Sequence, residues 1–279
     1  MRMEKEYLKL LDMACGKAER GRIEKIRDLS LIHLYREISL VCACDSNASN
    51  GEKQNDMHPN SYEESAVSVL KVPLMEVLAS GAFPFLIVNN LCVEMNPSGE
   101  KIIQAMKAEL QRCRLLERVA FTGSTEDNME TSQTGMGVTV IGLLDHRKSR
   151  LSKTRNGDAV VCVGIPQSGV RVPYSERDES VCDLKTMMEL TECSFVHEIL
   201  PIGSKGTLYE ANQLADTCSL NFVPLENQEI DLMESAGSST AVLVSLCEKD
   251  MIHLKEKIKK PVNQIGRIKQ GGNYVGKRY

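Results

Sequence analysis

The sequence predicts a mixed α/β (α+β) protein of two domains, on three observations. Strand-like apolar runs and apolar residues at helical spacing interleave in both halves, which calls for layered sheets and helices. The stretch 145–157, "DHRKSRLSKTRNG", is basic and nearly free of large apolar residues, and it separates two halves of similar element order. A length of 279 residues with 42% apolar content is enough for two cores of ordinary size. The domains are placed at 1–150 and 151–279.

In chain order, Tyr7, Leu8, Leu10, Leu11 and Ala14 fall near one helical face, giving an amphipathic helix over residues 3–20. "LSLIHL" and "EISLVCACD" read as strands, the second ending on Asp45. The polar, turn-rich "SNASNGEKQNDMHPNSYEES" reads as a mobile loop. "PLMEVLASGAF" reads as a helix with Pro73 in its first turn and Gly81 just past its end. "PFLIVNNLCVEM" is a strand, and "SGEKIIQAMKAELQRCRLL" a helix with Ser98 as a candidate cap. "RVAFTG" and "MGVTVIGLL" complete the strands of the first domain. The second opens with the strand "GDAVVCVGIP" and continues through the helical "KTMMELTEC" and "GTLYEANQLADTC", the strand "AVLVSL" and the helix "EKDMIHLKEKI", ending in a loose tail "GGNYVGKRY".

Composition narrows the function classes. A net charge of −4, from 34 basic and 38 acidic residues, offers no field for nucleic acid or an anionic membrane. No apolar run approaches the roughly 18 to 20 residues that span a bilayer, and the amino terminus lacks a signal-peptide pattern. The chain reads as soluble and cytoplasmic. Its 10 cysteines form no CxxC pair or zinc-type cluster and read as reduced thiols.

Two segments carry candidate chemistry. In "FTGSTEDNMETSQTGMGVTVIG", glycines, hydroxyls and acids crowd in front of an apolar strand. If that loop neighbours Asp45 and Glu76, the carboxylates of Asp45, Glu76, Glu126 and Asp127 converge, and such a group needs a hard cation; with phosphates present, Mg²⁺ is the usual one. Gly123, Gly135 and Gly137 would let backbone approach the ligand. Each acid taken singly fits an ordinary loop or helix-start residue better than a ligand. In "HEILPIGSKGTLYEA", Gly203, Ser204, Lys205 and Gly206 precede a helix and can offer amides, a hydroxyl and an ammonium to an anion; the same pattern fits a turn and a cap. His197 fits a structural role better than proton transfer.

These stretches resemble the aminoimidazole ribonucleotide (AIR) synthetase superfamily, which includes thiamine-monophosphate kinase, selenophosphate synthetase and a hydrogenase maturation protein. The superfamily's strand-end acid is matched by Asp45 in "ACDS", and its "N-D-hydrophobic-A-x-x-G-A-x-P" helix by "MEVLASGAFP", with Glu76 for Asp. Its "GG-D/E-T" loop before a "TVIG" strand is matched by "TGSTEDN" and "VTVIG". Ser124 stands at the usual acid, so the ligand role moves to Glu126 or Asp127. "GD" at Gly157–Asp158 and "HEILPIGSKGTLYE" match the second domain.

Within the group, "GSTEDNMETSQTGMGVTVIG" is most similar to the α-ribazole kinase branch. The resemblance implies an AIR synthetase-like fold whose amino-terminal domains pair their sheets in a homodimer. It also implies ATP-dependent phosphorylation of a small molecule, α-ribazole first, with ATP and Mg²⁺ as cofactors. Asp45 and Glu126 would be catalytic; Asp45, Glu76, Glu126 and Asp127 would hold the metal; Gly123, Ser124, Thr125, Asp127, Asn128 and Gly203 to Gly206 would hold the nucleotide. Thiamine-monophosphate kinase and an AIR synthetase-like ligase are the rival enzymes. A non-catalytic nucleotide-binding protein with a decayed site is the alternative of another class.

Overall fold

The computed structural model describes residues 23–35, 37–169, 173–227 and 229–271, together with Leu8, Leu11, Asp12, Ala14 and Cys15. The helix expected over 3–20 and the tail expected after 271 lie almost wholly outside the described residues. The chain divides into two units, Met1–Ser149 and Arg150–Tyr279.

In the first unit six strands form one sheet: β1 (Ile23–Ile26), β2 (Leu29–Tyr35), β3 (Ile38–Ala48), β6 (Phe83–Leu91), β7 (Ala120–Ser124) and β8 (Gly135–Asp145), in the order β1-β2-β3-β8-β6-β7. All neighbours are antiparallel except β6 and β7. Side chains alternate between faces. Val41 and Ala43 of β3 and Val138 and Val140 of β8 are buried, against helix α1 (Tyr62–Ala79), which packs on both strands. Helix α2 (Glu100–Arg112) packs on α1 through a face that includes Ile102, Met106 and Leu110.

Three expectations need correction here. Helix α1 starts at Tyr62, eleven residues before Pro73, with the Ser61 hydroxyl accepting from the Glu64 amide. Pro73 is therefore interior, where it leaves one helical bond unmade; a proline read as a helix start hid the three turns before it. Glu76 falls in the last turn as a result. Ser98 is no cap: α2 begins after Gly99, and the Ser98 hydroxyl bonds Glu94 instead. The segment 46–60 is an ordered structure, in which β4 (Asn50–Gly51) pairs with β5 (His58–Pro59) in parallel. Asp56 fastens it to Thr134, accepting from that residue's amide at 2.7 Å and its hydroxyl at 2.6 Å, and from the Lys53 amide at 2.9 Å.

The second unit holds an antiparallel sheet, β10-β12-β9-β13-β11, made of β9 (Ala159–Gly164), β10 (Val196–Pro201), β11 (Leu220–Pro224), β12 (Ala241–Leu246) and β13 (Val262–Gln270). Its helices are α3 (Leu184–Thr191), α4 (Thr207–Asp216) and α5 (Met251–Lys257). The core gathers Val160, Leu200, Leu214, Leu243 and Ile265.

Residues 150–154, expected within a linker, are built into this unit. The Arg150 guanidinium donates to the carbonyls of Val196 and Thr191 at 2.6 Å each. The fully buried Glu198 carboxylate accepts from the amides of Ser152, Lys153 and Thr154 at 3.0, 2.9 and 3.0 Å, and from the Thr154 hydroxyl at 2.8 Å. A buried carboxylate is tolerable only with such donors around it.

Candidate functional site

Strand register places the candidate residues of the first unit. Asp45 pairs with Val138, Val138 with Asn89, and Asn89 with Gly123, so the four form one row across β3, β8, β6 and β7. Residues in one row point to the same face, here the one covered by helix. Strands lie about 4.8 Å apart, so Asp45 stands about 10 Å from Asn89 and about 14 Å from Gly123.

Three members of the row, Asp45, Asn89 and Gly123, have features that bear on a ligand. Burial pushes the Asp45 carboxyl above the usual carboxylate range, and a hydrogen bond from the Ser46 backbone only partly offsets this. Asn89 is 2% exposed, yet its Nδ2 has no hydrogen-bond partner among the described residues, a costly arrangement for a buried donor. At Gly123 a Cβ would lie 1.5 Å from Asn89 Oδ1 and 2.0 Å from its carbonyl oxygen, so only glycine fits.

Two cavities open on the first unit, and the first of them is lined by members of this row. One, of about 240 Å³, is lined by Asn89, Met95, Ile103, Phe121, Gly123 and Thr125, with the Lys107 ammonium 5.7 Å from the Phe121 ring centre. The other, of about 470 Å³, is lined by residues including Lys53, Glu94, Asp127, Asn128 and Glu130.

The loop after β7 is held by its own acids. Asp127 accepts from the Met95 amide at 2.7 Å and the Thr125 hydroxyl at 3.1 Å, and Glu126 accepts from the Asn128 amide at 2.8 Å. Glu94 Oε1 accepts from Lys53 Nζ at 2.5 Å and Ser98 Oγ at 2.6 Å, and its Oε2 from Thr131 Oγ1 at 2.9 Å. Burial raises the Glu94 carboxyl, but these bonds overcome it and hold the group at about 2.

Sequence reasoning missed Asn89, Glu94, Lys53 and Asp56. The signals were weak: two asparagines ending an apolar strand, an acid four residues later, and two charges in a segment read as mobile.

The four expected metal ligands do not meet. Among the described residues, one group of three or more His, Cys, Asp or Glu side chains comes within ligand distance, and it contains none of Asp45, Glu76, Glu126 or Asp127. The geometry explains why. Asp45 and the loop after Gly123 are three strands apart. Glu76 precedes Val77, which packs at Gly142, where an added Cβ would lie 2.5 Å from Val77 Cγ1. Gly142 is four residues along β8 from the partner of Asp45, about 13 Å away. A four-carboxylate cage is therefore replaced by separated acids.

The Gly203 to Gly206 turn in the second unit is also corrected. The first amides of α4 are already taken, Thr207 N–H by the Glu234 carbonyl at 3.2 Å and Leu208 N–H by the Leu232 carbonyl at 2.8 Å. Lys205 folds back onto Tyr209, donating to its hydroxyl at 3.1 Å with the ammonium 4.5 Å from the ring centre. Gly206, at φ +91°, makes the turn, and an added Cβ would lie 3.1 Å from the Met233 carbonyl oxygen. Gly203, Ser204, Lys205 and Gly206 thus build a capped turn, not an open anion cradle.

No protein-family model matches the sequence, and no curated protein sequence is similar to it. Solved structures are similar in fold. A thiamine-monophosphate kinase from Stenotrophomonas maltophilia K279a aligns with TM-score 0.61 at 15% identity, over 97% of this chain and 92% of its own. A structure of AaThiL complexed with AMPPCP and TMP aligns with TM-score 0.56 at 14% identity, over 97% and 93%. Hydrogenase maturation protein HypE in complex with ATP aligns with TM-score 0.56 at 15% identity, over 83% and 77%. At such identities the likeness speaks for architecture: the chain has the two-domain α/β fold that these proteins share.

Proposed function

We propose that the protein is an Mg-ATP-dependent small-molecule kinase whose nucleotide site lies on the first unit, around the row Asp45–Asn89–Gly123. The observation that carries this reading is the pairing of Gly123 with a buried Asn89 whose amide lacks a partner. A glycine that brings backbone close, beside an unsatisfied donor, suits an oxygen-rich ligand. Gly123, Ser124, Thr125 and Asn128 would line the phosphates. Two fold neighbours are complexes with AMPPCP and with ATP, which supports a nucleotide here.

Separated acids fit Mg²⁺ at a phosphate site. This ion is commonly held by one or two carboxylates, with phosphate oxygens and water completing its shell. Asp45, whose carboxyl burial raises, would be its carboxylate ligand; Asp127 and Glu126 stand too far across the sheet to share that ion and would hold a second. The ion would neutralise phosphate charge, and phosphoryl transfer depends chiefly on positioning and neutralisation. Lys53, in the larger cavity with Glu94 and Asp127, would add a positive charge.

For the acceptor, the likeness of "GSTEDNMETSQTGMGVTVIG" to the α-ribazole kinase branch supports α-ribazole. The thiamine-monophosphate kinases among the fold neighbours favour thiamine monophosphate as the second reading. Coupled ADP release with each acceptor in turn tests both: turnover on one identifies it, and turnover on neither with millimolar Mg-ATP refutes the kinase.

A homodimer is part of the proposal. On the sheet face away from α1, Ile23, Ile32, Leu40, Leu143 and Phe83 form one apolar row across β1, β2, β3, β8 and β6. Ile23, Leu143 and Phe83 are 57%, 44% and 37% exposed. A continuous exposed apolar stripe of this kind suits a second copy of the same sheet.

A further inference from the structure

We infer that Asp158, His197 and Cys247 of the second unit form a binding site for a divalent cation of the zinc class. The inference is independent of the nucleotide site.

Strand topology brings the three together. Strand β12 lies between β9 and β10, and its last residue, Leu246, pairs with Ala159 on one side and Val196 on the other. One step beyond the Leu246–Ala159 pair stand Cys247, immediately after β12, and Asp158, immediately before β9, while His197 directly follows Val196 on β10. The β10 register shifts between Val196 and Glu198, so His197 is the bulged residue. Bulges re-aim side chains, and this one sets His197 Nδ1 2.8 Å from Asp158 Oδ2. The carboxylate is oriented in turn by the Arg155 amide, donating to the same oxygen at 2.9 Å.

One donor atom from each of Asp158, His197 and Cys247 lies within 4.8 Å of the other two. Around a tetrahedral zinc-class ion with bonds of about 2.0 to 2.3 Å, ligand atoms sit roughly 3.3 to 3.8 Å apart, so the His197–Asp158 pair at 2.8 Å would open slightly to admit the ion, an adjustment within reach of side-chain rotation. The Asp158 and His197 side chains are 3% and 10% exposed, and Cys247 is partly exposed, so an ion can enter from the Cys247 side. Thiolate and imidazole select against Mg²⁺ and Ca²⁺ and for zinc-class ions. Three protein ligands leave a fourth position for water.

Cobalt(II) is the probe, titrated into the reduced, full-length protein. One equivalent should produce a thiolate-to-cobalt charge-transfer band with tetrahedral visible bands, and zinc should bleach both. Cys247→Ser should remove the charge-transfer band, and His197→Gln should weaken binding roughly tenfold or more. Zinc should also protect Cys247 from alkylation in the wild-type protein, read by peptide mass spectrometry, which needs no variant to fold. Absence of the band in the wild type, its persistence in Cys247→Ser, or equal alkylation of Cys247 with and without zinc overturns the inference.

Discussion

The bond between Thr134 and Asp56 can be measured as an energy, because the two residues are 78 apart in sequence and nearly buried together, at 2% and 9% exposure. A hydrogen bond to a charged group contributes about 1.5–3 kcal/mol. Thr134→Val keeps the shape and the amide bond but deletes the 2.6 Å hydroxyl bond, so it should cost about 1.5–3 kcal/mol. Asp56→Ala strips the acceptor from three donors and should cost about 3–6 kcal/mol. In the double variant the hydroxyl has already lost its acceptor, so the coupling should equal that one bond, about 1.5–3 kcal/mol. Two units need not unfold in one step, so the assay is urea-dependent hydrogen exchange of first-unit amides. A coupling below about 0.5 kcal/mol, or a Thr134 amide that exchanges equally fast with and without Asp56, would refute the clamp. Because the clamped segment carries Lys53, Asp56→Ala should also weaken nucleotide binding.

Gly123→Ala forces a Cβ to 1.5 Å from Asn89 Oδ1 and should cost at least about 1–3 kcal/mol of stability, with loss of ATP binding by calorimetry. Asp45→Asn should abolish Mg-ATP binding while making the protein more stable at neutral pH. The folded carboxyl titrates above its ordinary value, so the native state holds the extra proton and wild-type stability falls as pH rises through that interval; equal melting temperatures for wild type and variant at pH 7 would contradict this. Glu94 has the opposite sign. Its contribution is complete above about pH 4.5 and fades as pH falls toward about 2, so wild type and Glu94→Gln should differ at pH 6 and converge in acid, as followed by denaturant midpoints. Leu143→Arg, placed in the exposed apolar row, should convert a dimer into monomers by light scattering without lowering the melting temperature of a dilute sample.

The layered α/β class was legible in the sequence, since apolar runs mark β3, β6, β8, β9 and β12, and helical spacing marks α2 and α4. The two-domain fold neighbours agree with it. Long-range contacts were not legible. Asp56 orders its segment by reaching Thr134, and the start of α4 is capped by carbonyls at 232 and 234, more than twenty residues downstream. Strands β11 and β13 carry Asn, Gln, Lys and Arg, so no apolar run announced them. At the candidate site, the sequence pointed to Asp45 and the loop at 123–128 but could not supply the register that spaces them across three strands. Asn89 escaped notice because asparagine in a strand becomes informative only once its amide is known to be buried without a partner.

The anchoring of Arg150 and of Glu198 bears on how the carboxy-terminal half could be excised. A fragment beginning at Gly157 looks natural from composition, yet it would discard all four Ser152, Lys153 and Thr154 donors to Glu198. That would strip the buried Glu198 side chain of those four donors, and the guanidinium staple over β10 would go with them. Excision ahead of Arg150 preserves both, so the seam useful for dissecting the polypeptide lies at Ser149, among residues that composition alone would have treated as expendable.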